Sequence, residues 1–317
     1  MLTSEVEDRI HKALAPHRLE RIDGGYRVVH PLGAGISTLR LLPGEGRPGS
    51  NLAGVAEITA EYGPAGMPVF HAEGVQRLNS WAVHGAYQVA EGHLRQKAQW
   101  SLYSDEPEIH FAVQAILNAF GAQLPLGRST ALATGSAAVL KQQRAHHAMP
   151  SRWPNPLDEH ALTAAADALR RRGLAASNSA TAVWAELPLS GDCPSRALDP
   201  KAETALLQVN LGGPHPVAGA GYLATISLPL QRAAANTVAN AAETCRRLNE
   251  LEFQQLDFVP RLGAWGLHPP DDLPGYSCFV PTPAAQEGMH MALMGWCVRR
   301  AVWLRDGYWQ AGVGIAV

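Results

Sequence analysis

Between residues 54 and 62 the chain alternates strictly, with Val55, Glu57, Thr59 and Glu61 set against Ala56, Ile58 and Ala60. A period of two marks a half-buried strand, one set of side chains on each face. Shorter runs of the same kind predict strands over 26–30, 36–42, 86–90 and 94–103, with Glu91-Gly92 as the turn between the last two. Helical spacing takes over where Val75, Leu78 and Ala82 line up, and it predicts a helix over 69–83. Two more helices flank this set. One covers 2–14, with Thr3 or Ser4 as N-cap and Pro16 as its stop. The other starts at Asp105-Glu106-Pro107-Glu108 and carries the apolar stripe Ile109, Ala112, Val113, Ile116, Leu117 and Phe120 up to Gly121. The order is α-βββ-α-ββ-α.

The same order then returns. A helix is predicted over 158–172, capped by Asp158 and stopped by Gly173. Strands follow over 182–187, 205–211 and 221–228, then a helix over 233–251. Strands over 257–267 and 276–280 and a helix over 286–304 complete the set. Residue identities support a duplication. Ala72-Glu73-Gly74-Val75-Gln76-Arg77-Leu78-Asn79 recurs as Ala242-Glu243-Thr244-Cys245-Arg246-Arg247-Leu248-Asn249, sharing Ala, Glu, Arg, Leu and Asn. Gly85-Ala86-Tyr87 is echoed by Gly263-Ala264-Trp265, and His110-Phe111-Ala112 by His290-Met291-Ala292. So long a period means a duplicated domain. The expectation is an α+β protein of two tandem copies with antiparallel sheets. The first copy spans 1–123 and the second 158–317, joined by a linker over 124–157 that ends in a proline-rich stretch.

Composition narrows the function. Of 317 residues, 46% are hydrophobic and 17% charged, which fits a folded core and excludes disorder. The formal net charge of -2 comes without a basic stripe, so no nucleic-acid partner is expected. Arg170-Arg171-Arg172 reads as the cationic last turn of a helix. The four cysteines, Cys193, Cys245, Cys278 and Cys297, have no metal or redox spacing, and three sit in apolar surroundings. No stretch is apolar enough to span a bilayer, and the first 20 residues lack the apolar region of a signal peptide. A cytoplasmic location is expected.

The element order and the repeat together make the chain similar to the type III secretion chaperone-like fold, which includes effector chaperones and YbjN-like proteins. The resemblance covers 2–120 and 158–306. It implies action by protein contact without catalysis, and a tandem copy implies a dimer made covalent. The expected function is therefore a non-enzymatic, chaperone-like or adaptor-like module that holds a partner polypeptide. Self-association fits as well.

Few residues in the chain carry recognisable chemistry. Asn79 and Asn249 stand at matching helix positions, where asparagine is a poor helix former, and they read as strand or end contacts or as binding residues. Tyr87, Trp100, Phe258 and Trp265 are the aromatic contact candidates on the strands after the two repeated helices. His110 and His290 read as helix-end side chains bonded to backbone. The competing reading is a hydrolase or metal-dependent enzyme built on this histidine pair. Gly33-x-Gly35 and Gly212-Gly213 lack the full phosphate-loop pattern, and His146-His147 and Asp271-Asp272 lack further ligands. No cofactor, metal or catalytic residue is expected.

Overall fold

The computed structural model describes residues 8, 11, 12, 20–29, 36–43, 52–62, 72–80, 85–103, 159–189, 204–215, 219–228, 238–255, 261–269, 272–281 and 288–309. The first copy contains β1 (Glu20–Ile22), β2 (Gly25–Val29), β3 (Ile36–Pro43), β4 (Leu52–Tyr62), α1 (Ala72–Asn79), β5 (Ala86–Ala90) and β6 (His93–Tyr103). The second contains α2 (Glu159–Arg171), β7 (Ala175–Asn178), β8 (Ala182–Pro188), β9 (Thr204–His215), β10 (Gly219–Ser227), α3 (Val238–Gln255), β11 (Ala264–His268), β12 (Leu273–Pro281) and α4 (Met289–Leu304). The linker, the helix predicted from 105 and most of the helix predicted over 2–14 lie outside the described residues.

The strands form two six-stranded antiparallel sheets, ordered β1-β2-β3-β4-β6-β5 and β7-β8-β9-β10-β12-β11. The orders are the same, strand for strand. The registers align the copies residue by residue. Thr59 pairs with Thr38 and with Lys97, which pairs with Ala86. Thr225 likewise pairs with Gln208 and with Ser277, which pairs with Ala264. Thr59 therefore corresponds to Thr225, and Lys97 to Ser277. Each sheet has one strand more than expected, because β1 and β7 are short edge strands with no alternation long enough to read. The strand predicted over 257–267 is also shorter and begins at Ala264.

Alternation assigns the faces. In β4, Ala56, Ile58 and Ala60 are buried while Val55, Glu57, Thr59 and Glu61 are half-exposed. In the second sheet Val183, Leu207, Val209, Ala224 and Ile226 form the inner face. It is covered by α2, through Leu162, Ala165, Ala166 and Leu169 at helical spacing, and by α4. Helix α4 is apolar nearly all round. One side buries Leu293, Met294, Cys297, Ala301 and Leu304 against its own sheet. Trp296 meets Trp100 of the first sheet edge-on, ring centroids 5.8 Å apart. A helix with apolar residues on every side is one buried on more than one side. The β5–β6 turn is the predicted Glu91-Gly92, with both φ values positive at 53 and 75, the geometry of a two-residue type I′ hairpin.

Candidate functional site

The two copies meet along a seam built by α1, α3 and the strands that follow them. Helix α1 packs on β5 of its own copy, on β11 of the other and alongside α3. Its close approach to β11 depends on Gly266. A Cβ there would stand 2.4 Å from the Ser80 nitrogen and 2.6 Å from the Gln76 carbonyl oxygen. Ser277 on β12 donates toward the carbonyls of Asn79 and Ser80, 3.3 and 3.0 Å away, so the orphan carbonyls at the end of α1 gain a donor they would otherwise lack.

Asn79 and Asn249 occupy equivalent places. The Asn79 side chain accepts from the Tyr87 amide at 2.6 Å and donates to the Tyr87 carbonyl at 3.1 Å. Asn249 does the same to Trp265, with both bonds at 2.9 Å. Each side-chain amide thus stands in for a missing neighbour strand and satisfies one residue of an open sheet edge. Asn79 is further held by a donation to Gln76 Oε1 at 2.9 Å. The sequence left strand contact and binding open for this pair, and the observed contact is to the strand.

The aromatic candidates lie inward. Tyr87 and Trp100 are each 4% exposed and Trp265 is 0% exposed, so these side chains offer no free surface and belong to the core. The expectation that they anchor a partner is corrected on that ground: their bulk fills the space between sheet and helix. Phe258 lies outside the described residues. Phe253, not singled out from the sequence, crosses the seam instead. The Lys97 ammonium and the Arg261 guanidinium each lie 5.2 Å from its ring centre. Arg261 also pairs backbone to backbone with Gln99, by bonds of 2.8 and 3.2 Å, and its side chain reaches the Gln99 amide oxygen. The Gly85 amide donates to the Leu262 carbonyl at 2.7 Å. A bidentate Arg77–Asp272 pair, at 3.0 and 2.7 Å, closes the exposed end of the seam. This pair holds the Asp272 carboxyl below the usual range.

Behind the seam, the second copy carries a buried ion pair. Glu252 on α3 accepts from Arg300 on α4 at 2.8 and 2.7 Å and from the Trp265 indole at 3.0 Å. The two side chains are 5% and 1% exposed. Burial opposes the Arg300 charge, but the Glu252 carboxylate outweighs it and holds the guanidinium protonated. The guanidinium carbon lies 4.3 Å from the centre of the Tyr276 ring. The network joins α3, α4, β11 and β12 through groups that satisfy one another. Sequence alone did not suggest it, because Glu252 and Arg300 look like ordinary helix-surface charges until the helices are placed.

His290 is 6% exposed near the start of α4 and bonds the Ala161 backbone on α2. Burial lowers its pKa, and that bond offsets the effect in part. This is the helix-end role expected of it. His110 lies outside the described residues. Cys245, Cys278 and Cys297 are free and buried, and burial pushes each thiol up to about 12, as fits small core hydrophobes. Among the described residues no group of three His, Cys, Asp or Glu side chains could hold a metal ion, and no helix is long and apolar enough to cross a membrane. No family model matches the chain, and no curated protein or solved structure matches it either.

Proposed function

We propose that the chain is a non-enzymatic protein-binding module, chaperone-like or adaptor-like, whose tandem copies act as a covalent dimer holding a partner polypeptide. The observation that carries this reading is a repeated exposed aliphatic position. Ile36, 42% exposed, and Leu206, 39% exposed, occupy corresponding places on the outer faces of the two sheets. Outward aliphatic residues kept at one position in both copies support contact with other chains, since exposed apolar surface marks interaction sites. The contact surface belongs on these outer faces and not on the buried aromatic residues of the seam. The likeness to secretion chaperones in element order supports the same reading, and a cytoplasmic location accords with it.

The test is capture of the tagged full chain from its native cells, with mass spectrometry of what co-purifies. The expected result is one stoichiometric polypeptide that is lost when Ile36→Glu places a charge on the first outer face. If the chain emerges alone and instead turns over a small molecule, the reading fails.

A further inference from the structure

The two outer faces share a frame but differ in charge. Arg27 corresponds to Trp184, Arg40 to Asn210, Glu57 to Leu223 and Glu61 to Ser227. Arg95 and Lys97 correspond to Gly275 and Ser277. Every one of these positions is charged in the first sheet and uncharged in the second. In the first sheet the charges are paired across strands, as Lys97–Glu57 at 2.8 Å and Arg95–Glu61 at 3.2 Å, so opposite signs offset one another along the face.

Two of the uncharged positions have a visible cover. Ser277 lies under the end of α1, and a Cβ at Gly275 would come within 3.0 Å of the His268 ring. There, loss of charge goes with burial, as desolvation requires. At Trp184, Asn210, Leu223 and Ser227 the charge is also gone, yet these residues are half-buried or exposed. This open area runs directly on from the part of the face that α1 already covers.

We infer that a second copy of this chain covers it, the two faces formed by β8, β9 and β10 stacking across a twofold axis. Such an interface brings each residue close to its own twin or to a neighbour's twin. Charged side chains near the axis meet their like in that arrangement, and the middle row of this face, Trp184, Gln208 and Thr225, carries none. Gln208 and Asn210 each carry a donor and an acceptor, so each can pair with its own copy. Trp184, Leu206 and Leu223 supply apolar side chains around Gln208, and the exposed Glu186 stands beside Leu206 on the side of the edge strand β7. The first sheet's face, with its ionic pairs, is left for the partner polypeptide. To that extent the inference rests on the function proposed above.

Sedimentation of the full chain over a wide concentration series tests it. The expected result is a reversible dimer. Trp184→Arg and Leu223→Glu, which install the first copy's residues, weaken it by about tenfold or more while the unfolding midpoint stays close to that of the parent. Gln208→Lys, at a half-exposed position, gives the same loss and serves if either of the others fails to fold. Ile36→Glu, on the other face, leaves the dimer intact. A chain that is monomeric throughout overturns the inference, as does a dimer unaffected by the folded variants or one dissociated by Ile36→Glu. Capture of a partner that Ile36→Glu abolishes is unaffected by these results, so the two failures can be told apart.

Discussion

Replacing Asn249 by alanine removes both bonds that tie α3 to the Trp265 backbone, each 2.9 Å long. Two hydrogen bonds at about 1 kcal/mol net each, with a buried amide and carbonyl then left unpaired, put the loss at roughly 2–4 kcal/mol. Asn249 lies within α3, where alanine is the better helix former by about 0.5 kcal/mol, so the net loss is about 2–3 kcal/mol. Asn79→Ala costs about 1 kcal/mol more, because Gln76 Oε1 loses its donor as well. Against a total stability of roughly 5–15 kcal/mol these are large effects. Urea unfolding gives the stability change, and amide exchange at Trp265 and Tyr87 locates it. The isosteric Asn249→Asp keeps the acceptor but puts a carboxylate against the Trp265 carbonyl, so it should rescue nothing. A loss under about 1 kcal/mol for Asn249→Ala, or a Trp265 amide exchanging as in the parent, would refute the edge-satisfying role.

Three further outcomes follow from the geometry. Glu252→Gln leaves Arg300 buried without its counter-charge and should cost about 3–5 kcal/mol in urea unfolding, whereas replacing Glu252 and Arg300 together by methionine should recover most of it. Gly266→Ala forces α1 away from β11 and should cost about 1–3 kcal/mol, with faster exchange of the Ser80 amide. His268 and His290 have pKa values lowered by burial from 6.5. Their folded forms bind protons less readily than the unfolded chain, so their contribution is complete above pH 6.5 and is lost as pH falls through the folded values. A stability profile over that range should decline toward acid, and His290→Gln should flatten it. A profile unchanged by the substitution would show that His290 is not the titrating group.

Much of the fold was legible because its signals are local. The alternation in β4 is set by two faces that differ in solvent contact, and the sequence records that difference directly. The repeat was legible because Asn79 and Asn249 answer the same need, an open strand edge beside a helix. Other features had no local signature. β1 and β7 are too short for a period to show. Tyr87, Trp100 and Trp265 could be told from surface anchors only by what lies over them. Glu252 and Arg300 are 48 residues apart, so only the placement of two helices reveals them as a pair. Gly266 looks unremarkable until the Gln76 carbonyl oxygen of α1 is seen 2.6 Å from where its side chain would be.

The pairing of Arg261 and Leu262 with Gln99 and Gly85 has a consequence for how the chain can be divided. These two residues belong to the second copy by covalent bonding but to the first sheet by hydrogen bonding. A fragment ending in the linker would leave the Gln99 backbone without the pairing that Arg261 supplies beyond the start of β5. The complementary fragment would carry Arg261 with nothing to pair to. Separately expressed halves should therefore be poor solo folders and good mutual templates, each acting as the other's missing edge. A protein of this construction suits split-reporter use: cut the linker and the seam itself becomes the instruction for reassembly.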